Sequence, residues 1–311
     1  MIIGIISGVL WGLNDVFANI YSSHLDSGST TLIVLVFALL LSFMQDSFSC
    51  LSIFVFHSVK KSFTTNLKQT KKTFLPLCLA AICAGPLGMV AGIVGIAYAG
   101  PVYAGVVTSC YPVVALLLAV IFLRERPTYL KMLGIVLSVV AVVCISIAGE
   151  ESGVANITVG LIFASCAMLG WGAESILFSI AAKKSTQHIS WLLAVRQLCS
   201  ATSYLIVLLF IVCFYSDTVV SMLKNFIIFP LLSACLITAA TSYLTYYHAI
   251  KKIGASLATT FNASFIFWAG VFSVVFNIAT LQLSFVAWAC VLILGIYFAS
   301  SGTFSINKKM A

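Results

Sequence analysis

Apolar residues in this chain run in long unbroken stretches, not in the short alternations of half-buried strands. Between polar breaks the runs cover residues 2–22, 31–57, 74–99, 103–123, 128–148, 155–182, 187–215, 226–249, 254–276 and 282–304. A helix needs about 20 apolar residues to cross the hydrocarbon core of a bilayer. It meets all its backbone hydrogen bonds internally, which lipid demands, whereas barrel strands would alternate over segments of about ten residues. The pattern predicts an all-α integral membrane protein of ten transmembrane helices. The run that begins at Ile2 has no basic stretch ahead of it, so it reads as the first span and not as a cleaved leader.

Composition points the same way. Hydrophobic residues make up 62% of the 311 and charged residues 8%, against about a quarter charged in soluble domains. A net charge of +8 would suggest a nucleic-acid partner in a soluble protein; here it reports how loops lie about the bilayer, and no nucleic-acid partner is expected. Fourteen of the sixteen basic residues fall on one set of loops and the C-terminal tail: Lys60, Lys61, Lys68, Lys71, Lys72, Arg124, Arg126, Lys131, Lys183, Lys184, Lys251, Lys252, Lys308 and Lys309. The opposite set carries Lys224 with Asp26, Glu150, Glu151 and Asp217. Because short cytoplasmic loops collect Lys and Arg, this asymmetry predicts that both termini are cytoplasmic.

The two halves echo one another. Leu10-Trp11-Gly12 in the first span matches Gly170-Trp171-Gly172 in the sixth, and a break at Gly100-Pro101 before span four matches Ile253-Gly254 before span nine. Five spans per half reverse the direction of the second half, so residues 1–150 and 151–311 are expected to form two inverted five-helix repeats, as in many secondary transporters. The ten cysteines are scattered singly within apolar runs and read as small hydrophobes. No metal-ligand spacing, phosphate loop or nucleophile motif occurs, so neither an enzyme, a cofactor nor a metal is expected.

Four charges lie inside spans, where each costs at least about 2.5 kcal/mol unless it faces a cavity: Asp15, Asp46, Glu174 and Arg196. Asp15 reads either as a functional carboxyl or as one that snorkels to the surface. Asp46, near mid-span, is a candidate proton carrier, as is Asp15. Glu174 follows Trp171 by three residues, so indole and carboxylate leave one helix face. An aromatic face with a nearby carboxylate holds a cation, above all a quaternary ammonium that has no hydrogen to donate. The alternative for Glu174 is a structural ion pair with Arg196, which lies at similar depth.

Aromatic residues extend the candidate box. Trp11 is the repeat partner of Trp171, and Tyr243 and Tyr247 share a face of span eight. Tyr246 and His248, near Lys251, read as interfacial. In span nine Asn262, Phe265 and Trp268, each three apart, form either one wall of the cavity or a packed helix interface. Gly85-Pro86-Leu87-Gly88-Met89 would let span three kink.

With these residues in hand the chain resembles the drug/metabolite transporter superfamily of EamA type. The resemblance rests on the Trp-Gly pairs of spans one and six and on Ala97-Tyr98-Ala99-Gly100-Pro101 through Tyr111-Pro112 to Arg124-Glu125. Within it, the segments Asp46-Ser47-Phe48-Ser49, Ala84 to Met89, Trp171-Gly172-Ala173-Glu174-Ser175, Arg196-Gln197 and Ser242 to Tyr247 are similar to the bacterial Lic-type choline transporters. The resemblance implies a central cavity between the halves with alternating access, and choline held by the residues matching Trp11, Trp171, Glu174 and Tyr243. Phe265 stands where that group favours Tyr, Gln45 where a His is expected, and Asn14-Asp15 add polarity to span one.

The expectation is a multi-pass protein of the bacterial plasma membrane, monomer or homodimer, that imports choline or a similar cation with the proton gradient. An exporter of amino acids or amphipathic metabolites on the same fold is the alternative. A non-transporting sensor is disfavoured because the membrane spans carry charge and soluble signalling domains are absent.

Overall fold

The computed structural model describes residues 1–23, 31–147, 156–225, 229–278 and 283–307. The loop charges Asp26, Glu150, Glu151, Lys308 and Lys309 lie outside the described residues. Helices follow one another almost without interruption: α1 (Ile2–Ser23), α2 (Thr31–Val59), a short α3 (Phe63–Gln69), α4 (Phe74–Ala84), α5 (Ala91–Thr108), α6 (Tyr111–Leu123) and α7 (Tyr129–Ile147). Then come α8 (Ile157–Lys183), α9 (Ile189–Asn225), α10 (Phe229–Ile253), α11 (Ala255–Ala263), α12 (Phe265–Val275) and α13 (Leu283–Asn307).

Among the described residues seven segments are long and apolar enough to cross a membrane: Ile2–Tyr21, Leu32–Val59, Phe74–Ile96, Tyr103–Leu123, Ile157–Lys183, Ile189–Asp217 and Ala255–Val275. Shorter apolar stretches occupy the expected fifth and tenth spans, Tyr129–Ile145 and Leu283–Ala299. The expected eighth span, α10, falls short of the same measure because Ser, Thr, Tyr and the terminal Lys251 and Lys252 dilute it. Outward faces are apolar, as Ile206, Leu209, Phe210 and Phe214 on α9 and Ile121 and Phe122 on α6 illustrate. Such a surface suits lipid; the protein is a multi-pass, all-helical membrane protein.

Two interruptions have identifiable causes. Gly85–Val90 forms a π-helical turn between α4 and α5, where Pro86 removes a backbone donor from the ladder. The Gly-Pro-rich kink of span three is therefore present. Helix α9 departs from helical geometry at Tyr215 (φ −139°, ψ 45°), where the apolar run was expected to end. One expectation is corrected: Gly100-Pro101 is not a coil. Helix α5 runs through it, and the Tyr98 carbonyl, one turn before the proline, accepts from the Asn156 backbone N–H at 3.0 Å. The interruption lies further on, at the hydrogen-bonded turn Ser109-Cys110.

Helices pack mostly across the two expected halves. Helix α1 lies against α10, α11 and α12, while α8 lies against α4, α5 and α6; α2 pairs with α9 and α7 with α13. Glycines allow the closest approaches. A Cβ on Gly12 would stand 2.7 Å from the Phe265 carbonyl and the Ala269 nitrogen, and one on Gly172 2.5 Å from Val114. Thus each Trp-Gly pair puts its indole inward while the following glycine admits a neighbouring helix. Basic loops gather at one end of the bundle, around a cluster that includes Ile3, Phe63, Leu123, Ile189 and Ile253. There Trp191 Nε1 donates to Thr70 Oγ1 at 2.8 Å, tying the loop after α2 to the start of α9.

Candidate functional site

The inward face of α1 carries Trp11 and that of α8 carries Trp171. Each meets a tyrosine of a neighbouring helix: Trp11 and Tyr243 have ring centroids 5.3 Å apart, Trp171 and Tyr111 5.9 Å apart. Between them lies a cavity of about 80 Å³. Its walls are aromatic: Trp11, Tyr111, Trp171, Tyr243, Tyr246, Tyr247 and Phe265. Ala84, at the end of α4, and Met89, within the π turn, complete the lining. Four polar side chains reach it, Glu174, Arg196, Ser242 and Asn262.

Glu174 is 3% exposed. Its Oε1 accepts a hydrogen bond from the Tyr247 hydroxyl at 2.5 Å. Arg196, equally buried, does not pair with it. Its Nη1 donates to Asp46 Oδ2 at 3.2 Å, and its Cζ lies 5.7 Å from the ring centroids of both Tyr243 and Tyr247. The Glu174–Arg196 ion pair, the alternative reading of Glu174, is therefore not formed; Arg196 pairs with Asp46 instead. The physical reason is helix packing: α2 lies along α9 and sets Asp46 opposite Arg196, while Glu174 sits on α8 behind the Tyr247 hydroxyl. A buried guanidinium must be matched by a charge it can touch, and Asp46 is the carboxylate within reach.

Six of the expected substrate residues meet at the cavity with Glu174 itself, namely Trp11, Trp171, Tyr243, Tyr247, Asn262 and Phe265. Trp268 does not. It packs on Phe267 at 5.0 Å between ring centroids and lies beside Gly12, a turn beyond the cavity. Asp46 stands behind Arg196 and not in the wall, and Asp15, half-buried on α1, also lies off the cavity. Tyr246, read as interfacial, is buried and lines the cavity. His248 points outward, bonded to the Leu244 carbonyl of its own helix at 2.7 Å.

Tyr111 is the main residue that the sequence reading left out of the site. It opens α6 immediately after the Ser109-Cys110 interruption, and its hydroxyl donates to Asn262 Oδ1 at 3.0 Å and to the Thr259 carbonyl at 3.1 Å. A phenol within an apolar run needs a polar partner, and that need was the available signal. Asn262 in turn donates to Ser7 Oγ at 3.2 Å, and Ser242 donates to the Ser7 carbonyl at 2.8 Å. These bonds clamp α1, α6, α10 and α11 around the cavity. On the other side Asn14 Oδ1 accepts from Gln45 Nε2 at 3.1 Å and from Thr238 Oγ1 at 3.3 Å.

Such a site can hold a small cation. Aromatic faces present negative potential to it, and the three buried charges at or beside the cavity sum to one negative charge, since Arg196 is matched by Asp46.

The EamA-like transporter family matches the chain over residues 1–147. Protein LicB of Haemophilus influenzae is 26% identical over 266 residues, spanning 86% of this chain and 85% of that protein. A solved crystal structure, 16% identical, superposes with a TM-score of 0.72 over 96% of this chain and 95% of its own; at that identity the likeness speaks for the fold alone.

Proposed function

We propose that this EamA-like transporter, of the drug/metabolite transporter superfamily, takes up choline or a related quaternary ammonium solute by alternating access around the aromatic cavity. Glu174 carries the reading. It is a buried carboxylate in the wall of an aromatic cavity, its hydrogen-bond partner is a neutral phenol, and the arginine that could cancel its charge is paired elsewhere. A quaternary ammonium cannot donate hydrogen bonds, so aromatic faces and one uncompensated charge are what it can use. The likeness to Protein LicB agrees with the Lic-type resemblance of the sequence.

The accompanying topology is ten transmembrane helices in two inverted five-helix repeats, residues 1–150 and 151–311, with both termini cytoplasmic. Exchange-related neighbours support it: α1 against α10 mirrors α8 against α4 and α5, and α1 against α11 and α12 mirrors α8 against α6. The protein works as a monomer or homodimer in a bacterial plasma membrane, driven by the proton gradient. Proton coupling draws on the membrane carboxyls: Glu174 at the cavity, Asp46 beside it, and Asp15 further along α1.

The test is choline binding to purified protein, read as thermal stabilisation by mass action. Choline is expected to raise the melting temperature of the wild type and not that of Glu174→Gln; equal stabilisation of both would remove Glu174 as the anchor.

Arg196 favours a second reading. It brings a positive group into the same wall as Glu174, an arrangement that an amino-acid zwitterion could bridge, in an exporter. Stabilisation by neutral amino acids, unaffected by excess choline, would select that reading.

A further inference from the structure

We propose that Asp46 is a positioning residue for the cation site: it holds the Arg196 guanidinium away from Glu174, so that Glu174 faces the cavity uncompensated. The inference rests on the cation reading above and adds a residue that does not line the cavity.

Arg196 stands between two carboxylates. Its Nη1 contacts Asp46 Oδ2 at 3.2 Å. Its Cζ lies 5.7 Å from the ring centroid of Tyr247, and the hydroxyl of that same ring donates to Glu174. One tyrosine thus separates the guanidinium from the second carboxylate. All three charged side chains are at least nine-tenths buried, with Asp46 1%, Glu174 3% and Arg196 3% exposed. At such burial a charge seeks the nearest opposite charge, because water screens little of the interaction.

The state of Asp46 therefore decides what Glu174 can do. With Asp46 ionised and paired, the pair is neutral and Glu174 is left to attract a monovalent cation. With the negative charge of Asp46 removed, Arg196 and Glu174 cancel, and an incoming cation must compete with a guanidinium already inside the wall.

The contact itself is narrow. Arg196 reaches Asp46 through one nitrogen, Nη1, and one carboxylate oxygen, Oδ2, at 3.2 Å, and not through a two-pronged fork. Leaving it would cost the guanidinium its buried ionic partner, so it turns towards Tyr247 and Glu174 only when Asp46 loses its charge.

The experiment is calorimetric titration of choline into the purified full chain as wild type, Asp46→Asn, Asp46→Asn/Arg196→Gln and Glu174→Gln, each checked for monodispersity. Asp46→Asn keeps the shape and removes the charge. It is expected to raise the Kd about tenfold or more by leaving Arg196 to Glu174. The double variant deletes the released guanidinium as well, and is expected to recover to within about threefold of wild type. Wild-type affinity in Asp46→Asn, or a double variant as weak as the single one, overturns the proposal. If either Asp46 variant fails to fold, Arg196→Gln decides: with the guanidinium gone Glu174 stays uncompensated, so choline binding as tight as wild type or tighter supports the proposal, and binding more than about threefold weaker overturns it. The Glu174→Gln arm separates the two levels. Unchanged affinity there sinks the cation reading itself, whereas loss there with no effect of Asp46→Asn sinks only the role of Asp46.

Discussion

The two tryptophans of the cavity stand on matching Trp-Gly segments, yet three residues further on α1 presents Asn14 where α8 presents Glu174. Both positions are buried. On the α1 side the polar group is neutral and satisfied, taken up by Gln45 and Thr238 in a bond network that ties α1 to α2 and α10. On the α8 side the group is a carboxylate in the cavity wall, with Tyr247 as its hydrogen-bond partner. One register position serves packing in one segment and holds a charge in the other. What the difference teaches is that similar backbones place the aromatics, while one side chain decides which of the two walls carries a charge.

The strongest way to break this comparison is to make the two sides alike. Glu174→Gln removes the charge that Asn14 already lacks, and choline affinity is expected to fall about thirtyfold or more, in line with the ~2 kcal/mol or more lost when one partner of a buried charge contact is truncated. Titration calorimetry reads this directly, and a change under about threefold would mean that the two sides do not differ in function.

The glycines come next. Gly12 and Gly172 both admit a close neighbour, so Ala at either should destabilise the protein by about 1–3 kcal/mol through overpacking. Gly172→Ala strikes the Val114 side chain at Cγ1 and Cβ, and Gly12→Ala strikes two backbone atoms of α12 together with the Trp268 Cβ. A new Val114 rotamer relieves one of the contacts at Gly172, whereas those at Gly12 yield only if α12 itself shifts, so Gly12→Ala is expected to lower the melting temperature further. The reverse order would contradict the packing described.

Trp171→Ala and Trp11→Ala should weaken choline by about 1–2 kcal/mol each, the scale of a desolvated cation–π contact. The larger loss is expected at Trp171, whose indole shares a helix face with Glu174; equal affinities for both variants and the wild type would empty the aromatic box of its role. The smallest effect on binding belongs to Asn14→Ala. It should cost about 1 kcal/mol of stability through the lost hydrogen bonds, seen as a lower melting temperature, with choline affinity within about threefold of wild type. A loss of affinity as large as that of Glu174→Gln would instead place Asn14 in the site.

Much of this was legible along the chain. Runs of apolar residues marked the helices, the basic loops marked a common end, and the Trp-Gly pairs marked the inward faces, because each signal acts within one helix or at one surface. Glu174, Trp171, Tyr243, Tyr247, Asn262 and Phe265 were readable as residues that meet at one cavity for the same reason: a polar or aromatic group inside an apolar run has few places to go. Trp268 misled because three-residue spacing reports a shared face and not a shared depth. It follows Phe265 on one face of α12, yet lies a turn too far along and packs on Phe267 and beside Gly12. Tyr246 misled through its sequence neighbours, since proximity to Lys251 suggested an interface that α10 does not offer at that rotation.

The sequence by itself determined the solvent, the helices, the common end of the basic loops and the kinds of side chain available to a cavity, since hydrophobic length and periodicity are properties of each segment alone. Only the tertiary structure decided which charges meet. Asp46 and Arg196 are 150 residues apart, and it is the packing of α2 along α9 that joins them. By joining them it leaves Glu174 with Tyr247 and an unmatched charge. Partnership between buried charges depends on distances of a few ångströms across helix interfaces, and no spacing along the chain encodes those.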